Sequence, residues 1–350
     1  MASSEQKGKV QTVLGPVDPG DLGPPTTHEH LLIDFTVLFT PPAEATERGK
    51  AFAPVTLENL AWVRYNTFAN EDNLELYDEK VAVFEADLFK AQGGGTIVDA
   101  TTIGIGRDPL ALARVSRAAG VHVVMGAGYY VEASHPDDMD ERTVDELTRQ
   151  IIDEVTVGVD DTGVKAGIIG ELGCMWPATE NEQKVLVAAA RAQQETGAAI
   201  LIHTGRNPGS PAQVLDILTG EGADVKRVIM GHMERTIQDD EGIIELAKTG
   251  CVLEYDLFGW EDSHYTLADY DLPNDSYRLD KIKMLIDNGF VSQIVTAHDV
   301  FAKSRLVSYG GNGISHILEN MVPRMRERGI TDEQIDTILV GNPARMLTIT

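Results

Sequence analysis

The sequence predicts an α/β fold of the (β/α)8 or TIM barrel type, and three observations carry that expectation. Eight short runs rich in Val, Ile and Leu recur along the chain, as strands covered on both faces should: TTHEHLLI, GTIVDATT, VHVVMGAG, AGIIGELG, AAILIHTG, RVIMGHM, CVLEYDLF and SQIVTAHD. Amphipathic segments with helix start and stop signals lie between them. Histidines and carboxylates gather at the C-terminal ends of the runs, the face on which such barrels carry their sites. An open doubly wound sheet is the alternative, but it normally has fewer strands and, when it binds a nucleotide, a glycine fingerprint after a strand. Gly93–Gly95 precedes its strand instead and reads as a helix-to-strand turn.

The elements follow in chain order. Residues to about Gly23 form a small strand-rich cap, KVQTVLG before a Pro/Gly turn. After the first strand, Pro41 to Glu75 form a long βα insertion. Asp108–Pro109 and Gly120 bracket a helix as N-cap, proline at the first position and C′ glycine. Thr143 with Glu146 is a capping box, and Leu147, Ile151, Ile152 and Val155 follow on one face. Thr179 with Glu182 opens a helix ending near Gly197, and Ser210–Pro211 opens another. Thr331 with Gln334 starts the last helix, on IDTILV. The expectation is one domain, with the cap over about 1–23, the barrel over 24–329 and a helical appendix over 330–350.

A chain of 350 residues with a net charge of -26 repels phosphate backbones, which argues against nucleic acid as a partner. The N-terminal MASSEQKGKVQTV lacks an apolar signal core, and no run approaches membrane-spanning length. Cys174 and Cys251 make no disulfide framework or Cys-x-x-Cys motif. A reduced cytoplasmic protein without membrane partners is expected.

Strand ends carry the chemistry. His28 and His30 alternate, so a strand points both to one face. Strand four ends in Glu171, strand five in His203, strand six in His232 and strand eight in Asp299. Any one of these could be an ordinary surface residue, but all six converge on one mouth. His298 would point away from Asp299, in a structural role or one supporting the metal ligands from behind. His122 opens a strand at the opposite end, and His135, His264 and His316 lie in loops. Imidazole plus carboxylate without thiolate suits Zn, Mn, Co, Fe or Ni, with zinc the commonest outcome. Six ligands exceed one tetrahedral ion and suit two divalent metal ions sharing a carboxylate, the arrangement that activates water for hydrolysis at a carbonyl or phosphoryl centre.

His-x-His on strand one, an anionic bridge on strand four, His on strands five and six and Asp on strand eight resemble the amidohydrolase superfamily. VQTVLGPV, KAGIIGELG, ILIHTGR, GHMERT, LEYDLFG and NPARML narrow this to its phosphotriesterase branch over nearly the whole chain, closest to the phosphotriesterase-related members of animals. The resemblance implies that His28, His30, Glu171 and Asp299 hold the more buried ion. His203 and His232 would hold the more exposed one and share Glu171. A hydroxide between the ions would attack, and Asp299 would be the catalytic proton carrier. In phosphotriesterase the bridge is a carboxylated lysine. Here that position is Glu171, and Lys165 lies at the strand's other end.

For this branch the resemblance implies amide cleavage of N-acetyltaurine, a small anionic N-acyl substrate. Arg206, Tyr130, Asp256 and Arg305 are then candidate substrate-binding residues, Asp256 orienting either the exposed-metal side or a substrate N–H, with Lys303 and Trp176 further candidates. A lactonase or phosphotriesterase, or a non-catalytic metal-binding scaffold, is the alternative. A homodimer is compatible with the branch.

Overall fold

The computed structural model describes residues 6–261 and 264–350. Eight parallel strands follow one another in sequence around the barrel: β1 (Pro25–Glu29), β2 (Thr96–Asp99), β3 (His122–Ala127), β4 (Ile168–Gly173), β5 (Ile200–His203), β6 (Val228–Met230), β7 (Val252–Tyr255) and β8 (Ile294–Thr296). The ring is drawn together where β8 meets β1. The Thr27 hydroxyl donates to the Thr296 carbonyl at 3.2 Å, and the Asp299 N–H to the His28 carbonyl at 2.9 Å. This is the (β/α)8 barrel that the eight apolar runs predict.

Alternation along the strands divides the core in two. Val98, Val124, Ile168, Leu201, Ile229, Val252 and Val295 fill the barrel's interior. Their neighbours, among them Ile97, Val123, Ile169, Ile200 and Leu253, face the surrounding helices.

Below, Val10, Leu22, Met346 and Leu347 join the interior cluster. The N-terminal hairpin (Val10–Thr12 with Gly15–Val17) and the chain's last residues meet there, with Val10 paired antiparallel to Thr348. The hairpin and the last residues therefore plug the base and leave the opposite face free.

The helix signals act as the local chemistry requires. The Asp108 side chain accepts from the Ala111 N–H, and Gly120 ends that helix at φ 65°. Complete capping boxes form at Thr143/Glu146, Thr179/Glu182 and Thr331/Gln334. The helix at Ser210 starts differently. Gly209 precedes it without a side-chain cap, and the Ser210 hydroxyl accepts from the Gly205 N–H at 2.8 Å, fastening the loop after β5.

Gly93–Gly95 is indeed a turn into β2, and it needs its glycines. A Cβ on Gly95 would lie 2.2 Å from the Leu22 carbonyl oxygen and 2.9 Å from Gly23 Cα, both backbone atoms. Gly95→Ala is therefore expected to cost about 2 kcal/mol of stability, in the range of overpacked sites. A lower urea midpoint at unchanged slope checks it.

Among the described residues no helix is long and apolar enough to cross a membrane.

Candidate metal centre

The C-terminal mouth brings the six predicted residues together. Two strands reach it through an extra residue. Thr26 to Glu29 on β1 spans three steps against two on β2, and Ile169 to Leu172 on β4 spans three against two on β5. Such bulges re-aim side chains at barrel rims. On β4 the bulge places Gly170 at φ 123°, where a Cβ would lie 2.1 Å from the Leu201 carbonyl oxygen. Glu171, next in the chain, turns into the mouth.

Glu171 is the centre of the arrangement. Its Oε2 lies 3.0 Å from His203 Nδ1, 3.5 Å from His28 Nε2 and 3.6 Å from His232 Nε2. Its Oε1 lies 3.3 Å from His30 Nε2. Asp299 Oδ1 stands 3.3 Å from His30 Nε2 and 3.9 Å from His28 Nε2. Burial raises the Glu171 carboxyl, but His28 and the hydrogen bonds from His203 and His232 outweigh it and hold the group well below the usual range. Burial, reinforced by neighbouring His232, depresses His203 strongly. His30 is pushed up to about 9, because Asp299 and Glu171 overcome its burial.

The residues fit a cation. His28 Nε2 is buried without a hydrogen-bond partner, although two carboxylates face it. His28, His30 and Asp299 form one ligand-spaced group, and His28, Glu171 and His232 another. All donors are imidazole or carboxylate, the set suited to a divalent transition metal. Lys165 lies at the base, beside Gln11 and Arg117, far from the place a bridging lysine would occupy.

A supporting shell holds these side chains. Asp256 Oδ1 lies 2.8 Å from His232 Nδ1, its Oδ2 accepts from the His232 N–H at 2.9 Å, and that oxygen is 3.2 Å from His28 Nδ1. Glu254 Oε2 is 3.3 Å from His28 Nδ1, with burial pushing its carboxyl up to about 7. Thr101 Oγ1 is 2.9 Å from His30 Nδ1. Contacts of this kind fix which ring nitrogen faces a metal.

Glu29 faces the other way from its two histidine neighbours. It accepts from the His298 and Val300 N–H groups, and its Oε1 lies 2.6 Å from His298 Nδ1. His298 Nε2 in turn accepts from the Ile317 N–H at 3.0 Å. His298 is thus a structural residue, as its position beside Asp299 predicts. His135, His264 and His316 bind Tyr130 O, Tyr65 O and Asp275 respectively, away from the cluster.

Above the cluster lies a narrow cavity. Phe35 from just after β1, Phe68 from the first insertion, Tyr130, and Trp260, Tyr265 and Phe301 from the last loops wall it, with Arg206 and Arg235. Tyr130 OH is 3.1 Å from His203 Nδ1.

Arg305, Lys303 and Trp176 stand elsewhere than the substrate side expected of them, and Asp256 faces the histidines. Asp256 is fully buried beneath His232 and His28 and contacts both, which fits the first of its two expected roles, orienting the metal side, and not a contact with substrate. Arg305 donates to the backbone carbonyls of His298, Asp299 and Phe258 and lies over the Trp260 ring, bracing the end of β8. Lys303 pairs with Asp72, and Trp176 stands half-exposed beside Gly209, outside the cavity. Arg235, three residues after His232 in GHMERT, lies in the one-turn helix Met233–Thr236, which is too short for a periodicity that would betray its direction.

Residues 8–347 match the profile of the Phosphotriesterase family. The chain belongs to the phosphotriesterase family. An N-acetyltaurine hydrolase from Salmo salar is 46% identical over 347 residues, covering 99% of both chains. That from Homo sapiens is 45% identical with the same coverage. A resiniferatoxin-binding protein from Rhodobacter sphaeroides superposes with a TM-score of 0.95 at 36% identity, over 100% of this chain and 98% of that one. Membership of the phosphotriesterase family, together with the buried His/Asp/Glu cluster, makes this chain a metal-dependent hydrolase.

Proposed function

We propose that this chain hydrolyses the amide of N-acetyltaurine, giving taurine and acetate, at a centre holding two divalent ions. Identity of 44–46% to N-acetyltaurine hydrolases over 99% of the chain carries this reading. The donor set suits zinc.

His28, His30 and Asp299 would hold the deeper ion, His203 and His232 the outer one, and Glu171 both. Bound there, the ions would supply Lewis acidity and an acidified water. Asp299 takes the proton of the attacking water and passes it to the departing nitrogen, so that the amine leaves neutral. Phe35, Phe68, Trp260 and Phe301 exclude bulk water, which strengthens each polar contact inside. Tyr130 limits the depth to which the acyl group descends beside His203.

Purified zinc-loaded protein is expected to release taurine from N-acetyltaurine, with N-acetylglycine and a simple lactone as slower controls. A chelator should reduce the rate by at least about 100-fold, and added zinc should restore it. Turnover of the lactone with no taurine release would keep the metal chemistry and overturn the substrate.

A further inference from the structure

The cavity wall holds two guanidinium groups that have no carboxylate partner among the described residues. Two other arginines with buried side chains are paired with carboxylates: Arg278 with Glu234 and Asp275, and Arg107 with Glu154. Arg235 is only 3% exposed, yet its Nη1 has no hydrogen-bond partner, and its Nη2 faces His203 Nε2 at 3.1 Å. Arg206 donates from Nε to the neutral Tyr265 hydroxyl at 2.6 Å and lies over that ring, 5.6 Å from its centroid. Among the described residues neither forms an ion pair, in a chain with 55 acidic and 29 basic side chains. A desolvated cation without an anion is costly, and one partner removed from a buried pair is the usual cause. Here the partner would be the ligand itself.

The cavity is also divided by charge. Glu171, Asp299, His203 and His232 form its floor, and Arg206 and Arg235 stand on the wall from the loops after β5 and β6. A substrate with an acyl group at one end and a permanent anion at the other matches that division.

We infer that Arg235 and Arg206 form a clamp for the anionic head group of the acyl-amine substrate, and that Arg235 determines specificity for it. Two planar forks offer several N–H donors to a sulfonate or carboxylate. Naming the head group as a sulfonate rests on the proposed function; the clamp itself does not.

The test uses metal-loaded, full-length protein and a ligand without a scissile bond. Taurine, glycine and ethanolamine are titrated calorimetrically into wild type, Arg235→Met, Arg235→Lys and Arg206→Met. Taurine should bind wild type more tightly than uncharged-headed ethanolamine. Arg235→Met should weaken taurine by about 100-fold, leave ethanolamine within twofold, and keep metal content and melting temperature. Arg235→Lys should recover part of the loss, and Arg206→Met supplies the same reading should Arg235→Met misfold. With N-acetyltaurine the Arg235→Met loss should appear mainly in KM. Equal binding of taurine and ethanolamine by wild type, or unchanged taurine binding in both methionine variants, overturns the clamp. If N-acetyltaurine is not hydrolysed but taurine or glycine binds and Arg235→Met abolishes that, the clamp stands and the proposed substrate falls.

Discussion

Asp299→Asn is expected to lower kcat on N-acetyltaurine by about a thousandfold or more while most of the metal stays bound. General acid–base groups contribute roughly 10²–10⁴ to rate, and a carboxamide cannot accept the proton that Asp299 carries. The substitution keeps size and one oxygen donor, so its effect on holding the ion is smaller. The backbone around Asp299 is held from three sides. It sits at φ 49°, a left-handed conformation that Asp tolerates better than most residues. Its N–H donates to the His28 carbonyl at 2.9 Å, and its carbonyl accepts from Arg305. Glu29 ties down His298 and Val300 on either side. Asn can adopt the same conformation, so melting temperature should change little. Metal content and rate are measured on one sample. Wild-type turnover would remove Asp299 from proton transfer. Loss of both metal and rate would assign it to holding the ion.

Much of this was readable because its physics is local. A strand buried on both faces must be a short apolar run, so Ile97–Val98 and Ile200–Ile202 announced themselves. Capping is a dialogue between residues three apart, and Thr143, Thr179 and Thr331 formed the boxes that their spacing predicts. Residues closing a strand at the barrel's open face have one destination, which brought Glu171, His203 and Asp299 together. What was not readable depends on direction over a single residue. Asp256 and His232 both follow strands, yet His232 turns at φ 59° toward the cavity while Asp256 stays beneath it. Arg305, Arg206 and Arg235 are alike in sequence. The carbonyls of His298 and Asp299 claim Arg305 for the backbone, whereas Arg206 and Arg235 line the cavity. Glu29 lies between two histidines and is screened from view by them, although period-two alternation already says that it must face the opposite way.

Glu171→Gln should be as damaging as loss of the proton carrier, through a different quantity. Two dications about 4 Å apart repel by roughly 17 kcal/mol even at an effective dielectric of 20. A site for two therefore needs a shared anion. Glu171 is placed for that: one carboxylate oxygen faces His28, His203 and His232, and the other faces His30. Its amide keeps the shape but offers a neutral oxygen and an N–H₂ group that would point at imidazole nitrogens needed for the metal. Asp299 alone cannot offset both charges. Metal content is expected to fall to one ion per chain or fewer, and kcat/KM by at least about a thousandfold. Glu171→Asp keeps the charge but shortens the reach, so it should retain more metal than rate. Titration with zinc, followed by elemental analysis of the washed protein, separates the cases. Full occupancy of two sites in Glu171→Gln would show that four histidines and Asp299 suffice, and that Glu171 is not the bridge. One ion in Glu171→Gln against two in wild type would locate the shared charge on this residue.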